Sequence, residues 1–294
     1  MNSPVLALVD TEARTFRLAD ITRPQLRADD LSATRGDGIF EAVWVKDGTI
    51  HALEEHLARL VRSAKALALP EPDLDLWREV IHTVIAEHPP VDELIVRLVI
   101  SRGVNFTGPP TAWCLAKPMP EFLIGQRSAG VHAILLDRGY DSTAAQRAPW
   151  LLIGSKNISY AVNMAAGRYA MDQGADEAIF VSSDGLVLEA PTATVLLSTG
   201  KRLVTPDPVL GILHGTTQLL LFEQAARHGW QTEYARVTPD ELFAADGVWI
   251  VSSGRGAAPV RSIDQKPVDV DDETTAFLNG LLLEGGTPVR ARPA

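Results

Sequence analysis

Lys156 is one of only six lysines among the chain's 27 basic residues. It follows the mostly apolar run Pro149-Trp150-Leu151-Leu152-Ile153-Gly154-Ser155 and opens a helix-like stretch, Ile158 to Gln173. An amine placed there is a poor solubiliser. Desolvation and the positive end of a helix both disfavour its charge and lower its pKa. A neutral amine is what Schiff-base chemistry needs. Lys156 is therefore the first catalytic candidate.

Other residues offer complementary chemistry. Gly211-Ile212-Leu213-His214-Gly215-Thr216-Thr217 stands just before a helix. Glycine lets the backbone approach a ligand, and the free first-turn N–H groups and threonine hydroxyls suit a phosphate. An ordinary threonine cap after a tight turn is the competing reading. Glu189 closes a β-segment and precedes Ala190-Pro191-Thr192-Ala193-Thr194. It reads either as a solvent-facing strand end or as a carboxylate holding a proton on a heteroaromatic nitrogen, which makes the ring an electron sink. Arg59, on the helix Glu54 to Leu67, reads on its own as a solvated or salt-bridged arginine. Ser252-Ser253-Gly254-Arg255-Gly256-Ala257-Ala258 follows a buried-looking strand and is a binding loop or a surface turn. His214 is a pocket or surface histidine, and Cys114 a small core residue.

The elements that position these residues alternate along the chain. Val5–Val9, Ile39–Lys46, Thr49–Ala52, Glu93–Ser101 and Thr111–Lys117 read as strands, with Asp47-Gly48 as a hairpin signal. Glu54–Leu67 and Asp73–Glu87 read as helices. The Pro118, Pro120 and Gly125 stretch reads as a linker. Beyond it come strands at Val131–Leu136, Glu177–Ser182, Leu186–Glu189, Thr194–Ser198, Arg202–Thr205 and Gly247–Ser252. Thr216–His228 and Asp271–Glu284 are helices, the first closed by Gly229. The tail from Gly285 reads as loose. The result is an α+β chain with a small α/β domain at 1–120, an interdomain linker at 121–130, and a large domain at 131–294 that carries the lysine.

Composition narrows the class. The chain has 294 residues, 46% hydrophobic and 22% charged, the balance of a globular protein. A net charge of −10 argues against nucleic acid as the main partner. No apolar run reaches the length of a membrane span, and no signal peptide is read at the N-terminus. A single cysteine excludes an intrachain disulfide and a multi-cysteine metal site, and no metal is expected. A cytoplasmic enzyme is the expectation.

Taken in order, the motifs resemble the fold-type IV pyridoxal-phosphate enzymes, the class-IV aminotransferase superfamily. Gly36-Asp37-Gly38-Ile39-Phe40-Glu41, then Glu55-His56-Leu57-Ala58-Arg59-Leu60, the lysine, the glutamate and the Gly215-Thr216-Thr217 turn come in the family's sequence, from roughly Leu31 to Asp264. The resemblance implies two domains, the larger a pseudo-barrel, a homodimer, and pyridoxal 5′-phosphate as cofactor. It makes Lys156 the aldimine-forming lysine and Arg59 the phosphate-pairing arginine. Glu189 becomes the partner of the pyridine nitrogen, and Tyr160 a contact of the cofactor's phenolic oxygen, one helical turn after the lysine. Gly215, Thr216, Thr217, Ser253 and Gly254 become phosphate contacts, with Ser253 and Gly254 open to substrate as well. Phe40, Arg97, Arg102 and Arg255 are the substrate candidates, the arginines for a carboxylate. Gly215-Thr216-Thr217-Gln218 departs from the commoner Gly-Ile-Thr-Arg, and no asparagine follows Glu189. These departures, with Gly254-Arg255-Gly256-Ala257-Ala258, look most like actinobacterial aminodeoxychorismate lyase-like and transaminase proteins. The implied activity is transamination between an amino acid or amine and a keto acid. The alternative is 4-amino-4-deoxychorismate lyase, which expels pyruvate to give 4-aminobenzoate. A non-enzymatic cofactor-binding protein predicts a missing lysine or glutamate, and both are present.

Overall fold

The computed structural model describes residues 3–284 and 286–289. The chain forms two compact units. The first takes its main run from the N-terminus to Met119 and adds Ser155–Tyr160 and the C-terminal segment; the second comprises Pro120–Gly154 and Ala161–Glu284.

In chain order the first unit contains β1 (Val5–Asp10), β2 (Thr15–Ala19), α1 (Leu31–Arg35), β3 (Gly38–Lys46), β4 (Thr49–Ile50), α2 (Leu53–Ala66), α3 (Leu74–Ala86), β5 (Glu93–Ser101) and β6 (Thr111–Pro118). The second follows with α4 (Glu121–Ala129), β7 (Val131–Asp137), α5 (Ala144–Arg147), α6 (Ala161–Asp172), β8 (Glu177–Val181), β9 (Thr194–Thr199) and β10 (Arg202–Pro206). It continues with α7 (Thr216–Arg227), β11 (Gln231–Ala235), α8 (Pro239–Phe243), β12 (Gly247–Ser252), β13 (Gly256–Ile263), β14 (Lys266–Pro267) and α9 (Asp272–Leu281). A last strand, β15 (Thr287–Pro288), belongs to the first unit.

The first unit's sheet runs β15-β4-β3-β5-β6-β1-β2 and pairs antiparallel throughout. Its centre, β3 against β5, is registered from Gly38↔Ser101 to Lys46↔Glu93. Asp47 and Gly48 both have positive φ, 47° and 71°. That backbone matches the twist of flanking strands, so β3 turns directly into β4. The helices α2 and α3 bury Leu57, Leu60, Trp77, Val80 and Ile81. The second unit's sheet runs β11-β10-β9-β12-β13-β7-β8, with β14 on β13. The pairs β10–β11, β13–β7 and β7–β8 are parallel and the others antiparallel. One face of this sheet builds a core from Val131, Ile179, Val195, Val248, Ile250 and Val260.

Four expectations change. The stretch read as a linker is α4, which packs against β13. Pro120 sits at its N-cap, where a missing N–H costs nothing. Gly125 lies in its exposed interior, a position worth about 1 kcal/mol against alanine that the helix tolerates. The Lys156 segment belongs to the first unit and not to a large C-terminal domain. Lys156 does not open a helix, because α6 begins only at Ala161. The physical reason is competition for backbone groups. Phe40 donates its N–H to the Lys156 carbonyl, and Ile158 donates to the Gly38 carbonyl, so the segment bridges to the start of β3. The tail expected to be loose places Thr287–Pro288 against β4; Gly285 and 290–294 lie outside the described residues.

Candidate active site

In the first unit, α2 carries a buried polar face. His56, Arg59 and Ser63 are spaced by three and four residues, which stacks them along one side of the helix. Arg59 donates from Nε to Glu41 Oε1 at 2.7 Å and from Nη2 to Glu41 Oε2 at 2.8 Å. This two-pronged pair fixes the guanidinium plane. His56 Nδ1 lies 2.7 Å from Glu41 Oε2. An ionised carboxylate only accepts, so Nδ1 carries the proton. Burial pushes the Glu41 carboxyl up. The Arg59 charge and its hydrogen bonds, helped by His56, outweigh burial and hold Glu41 well below the usual carboxylate range. Burial lowers the His56 pKa; Glu41 opposes this, while the charges of Arg59 and Lys156 add to it. The imidazole is therefore neutral at neutral pH.

The next residue on this face, Ser63, accepts the Lys156 backbone N–H at 3.2 Å. Lys156 is thus held from both sides of its peptide, by α2 and by β3. Its Nζ sits 4.5 Å from the centre of the Phe40 ring. Phe40 in turn meets Tyr160 edge-to-face at 5.4 Å. The structure brings Phe40, Lys156 and Tyr160 together, but not by the helical spacing expected for Lys156 and Tyr160. Tyr160 closes a tight turn instead, its N–H bonded to the Ile158 carbonyl.

In the second unit, Glu189 is half-buried and accepts the Leu213 N–H on Oε2 at 3.1 Å. Leu213 stands two residues before Gly215, so the carboxylate is tied to the same loop as the threonine turn. Two residues after Glu189 along the chain, the Pro191 carbonyl accepts from Asn163 of α6 at 2.6 Å. Gly215 is the N-cap of α7 and supplies no capping side chain. Its φ of −70° is open to any residue, but a Cβ there would run into Thr194 Oγ1. Glycine is required by close approach. Thr216 and Thr217, both buried, form the first turn of α7. Thr217 Oγ1 lies 3.4 Å from Ser253 Oγ. First-turn N–H groups and neighbouring hydroxyls at a glycine cap make a donor set that fits a phosphate.

The substrate candidates fare differently. Arg97 is exposed on β5, paired across the sheet with Ala42 and Leu115. Arg102 is committed elsewhere: it binds Asp37 through Nε at 2.7 Å and caps the end of α2 at the Leu67 carbonyl, 2.6 Å away. Arg255 is buried, with Nε donating to Gln126 Oε1 at 2.9 Å. Its Nη1 makes an ion-pair contact with Glu177 at 2.5 Å that lacks hydrogen-bond alignment. Arg102 and Arg255 are thus both engaged within the chain, as Arg59 is with Glu41. Sequence reasoning also missed Arg127. Its Nη2 and Nε donate to the Gly254 and Arg255 carbonyls at 3.0 and 3.2 Å, fastening the Ser253-Gly254 loop. Glu41, His56 and Ser63 were missed as a connected face, although the three- and four-residue spacing of His56, Arg59 and Ser63 was there to be read.

The comparisons agree with this chemistry. A family profile described as amino-transferase class IV matches residues 38–263. The bifunctional aminodeoxychorismate lyase / D-amino acid transaminase of Mycobacterium tuberculosis is 44% identical over 250 residues, covering 82% of this chain and 86% of its own. A fold IV transaminase from Curtobacterium pusillum superposes with a TM-score of 0.90 at 43% identity, over 95% of this chain and 97% of its own. A hypothetical aminotransferase from M. tuberculosis, solved with pyridoxal phosphate bound, gives a TM-score of 0.90 at 40% identity, over 95% and 99% of the two chains. The chain belongs to the class IV aminotransferases, the fold-type IV enzymes that use pyridoxal 5′-phosphate. Among the described residues, no helix is long and apolar enough to cross a membrane.

Proposed function

We propose that this enzyme moves an amino group from an amino acid or amine to a keto acid, with Lys156 as the residue that holds the cofactor and carries the proton. The observation that carries this reading is the fixed setting of Lys156. Its peptide is pinned by Ser63 and Phe40 and its amine lies over the Phe40 ring. When bound, pyridoxal phosphate supplies an aldehyde that condenses with amines and a ring that takes up the electrons left by a departing proton. The remaining roles fall to the chain. Thr216, Thr217, Gly215 and Ser253, with Arg59 as the cationic partner, hold the phosphate. Glu189 accepts the ring N–H and keeps that nitrogen protonated. Tyr160 donates to the phenolic oxygen, and Phe40 forms an apolar wall for substrate. The enzyme is cytoplasmic and works as a homodimer, without nucleic acid or membrane.

The lyase is a second reading, supported by the bifunctional name of the M. tuberculosis relative. Both reactions begin with the same proton removal by Lys156, so the two are separated by product. The enzyme is mixed with D-alanine, L-alanine or (R)-1-phenylethylamine without an acceptor. Transamination predicts that at least one donor bleaches the visible absorption band and that a keto acid restores it. The Lys156→Ala control forms no such band. No bleaching with any donor, together with release of 4-aminobenzoate from aminodeoxychorismate, overturns the aminotransferase reading.

A further inference from the structure

We propose that Tyr234 is a positioning residue for the phosphate turn, acting through His214 on one side of it and Gln218 on the other. The inference rests on the reading of Gly215-Thr216-Thr217 as the phosphate seat.

The two contacts bracket the turn. His214 immediately precedes Gly215, and its Nε2 lies 3.0 Å from the Tyr234 hydroxyl. Gln218 immediately follows Thr217, is buried, and donates from Nε2 to the same hydroxyl at 3.1 Å. One oxygen on β11 thus ties the residue before the turn to the residue after it. The ring is itself held, tilted against Phe222 of α7 at 5.2 Å and edge-to-face with His214 at 5.7 Å. Because β11 pairs in register with β10, Thr205 beside Tyr234, the hydroxyl stands on a sheet and not on a loop. Burial raises the Tyr234 pKa, the Gln218 hydrogen bond opposes, and Asp207 adds to the rise, so the group keeps its proton near neutral pH.

The turn needs such support. Gly215 has no side chain to anchor it, and Thr194 packs where a Cβ would be. The N–H groups and hydroxyls of Thr216 and Thr217 hold a phosphate only while the turn keeps its shape, since donors serve a ligand at hydrogen-bond distance or hardly at all. Gln218 takes the place where arginine is common in the family. Here the side chain is spent on Tyr234 and serves the geometry of the turn.

The test compares binding by the apoenzyme of three probes: pyridoxal phosphate, inorganic phosphate, and pyridoxal, which lacks the phosphate. Tyr234→Phe keeps the ring contacts and removes the hydroxyl. A net hydrogen bond in such a network corresponds to roughly two- to tenfold in affinity. Tyr234→Phe is expected to weaken pyridoxal phosphate and inorganic phosphate by that factor and leave pyridoxal unchanged. Gln218→Leu should do the same, and the double variant should lose little more than either single one. Equal weakening of pyridoxal would mark a merely structural role and overturn the proposal. Thr217→Ala separates the two levels of the argument. If it weakens inorganic phosphate while Tyr234→Phe does not, the positioning role is wrong and the turn still stands. If Thr217→Ala leaves phosphate binding intact, the phosphate seat itself has been misplaced.

Discussion

The buried trio Glu41, His56 and Arg59 sets the electrostatics around the lysine. Replacing one member of a buried ion pair leaves the other charge uncompensated, which costs about 3–5 kcal/mol. Glu41→Gln strands the Arg59 guanidinium in this way. The pH dependence follows from the two shifts. Glu41 has a folded pKa below its ordinary value of 4.5, so the unfolded chain binds the proton first. Its contribution is complete above pH 4.5 and is lost as pH falls through the lower folded value. His56 is also lowered, from 6.5, so its contribution is complete above pH 6.5 and declines below it. Stability should therefore fall in two stages on acidification. Urea midpoints for the parent protein and Glu41→Gln, taken from neutral pH to below 4.5, should show a deficit that persists from neutral pH down to about 4.5 and shrinks below it. A deficit that stays constant across that range would mean that Glu41 is not held ionised by Arg59.

At the scale of elements, the site depends on pieces that bring backbone groups to the right place. Arg127 of α4 is bonded to two carbonyls of the Ser253-Gly254 loop. Arg127→Ala removes both bonds, and hydrogen bonds from a charged donor contribute about 1.5–3 kcal/mol each. Partial exposure of Arg127 discounts this to a loss of about 1–2 kcal/mol in total. The measured result should be a lower urea midpoint with several-fold weaker retention of pyridoxal phosphate on dialysis. Unchanged retention would detach this loop from cofactor binding. Much of the element pattern was legible in sequence. The apolar run in Glu93–Ser101, the Asp47-Gly48 turn and the helical face of Glu54–Leu67 are local signals, and tertiary packing agrees with each. The segment 121–129 was illegible because Pro120 and Gly125 mimic a linker, and its helicity comes from packing on β13. The start of α6 was illegible for a different reason. Ser155–Tyr160 gives its backbone hydrogen bonds to β3, a partner more than a hundred residues away in sequence. Of the site, Lys156, Glu189 and the Gly215-Thr216-Thr217 turn carry sequence marks. The commitments of Arg102 to Asp37 and of Arg255 to Glu177 do not, because they join distant segments.

For the whole molecule, the surface of the second unit supplies an argument about assembly. Its helix α6 leaves Val162, Met164, Tyr169 and Met171 more than half exposed, and Trp150 and Leu151 on the preceding segment are exposed as well. Val162 and Tyr169 are seven residues apart, as are Met164 and Met171, so each pair lies two helical turns along one side. Ala170 is the buried residue of this helix. Val162 and Met164 are about 200° apart around the axis, so the two rows flank α6 on opposite sides. A monomer seldom keeps so many large apolar groups in water, and exposed apolar patches mark association surfaces. The proposed homodimer gives the patch a partner of the same composition, as two-fold self-association requires. Placing a charge on each row, Met164→Asp with Tyr169→Asp, buries uncompensated carboxylates in any such contact, whereas on a free surface the cost is small. Sedimentation at micromolar concentration should find the parent protein as a dimer and the double variant shifted to monomer, with the secondary structure of the variant by circular dichroism unchanged. If the double variant remains fully dimeric, the two chains meet on some other face and α6 is exposed for a different reason.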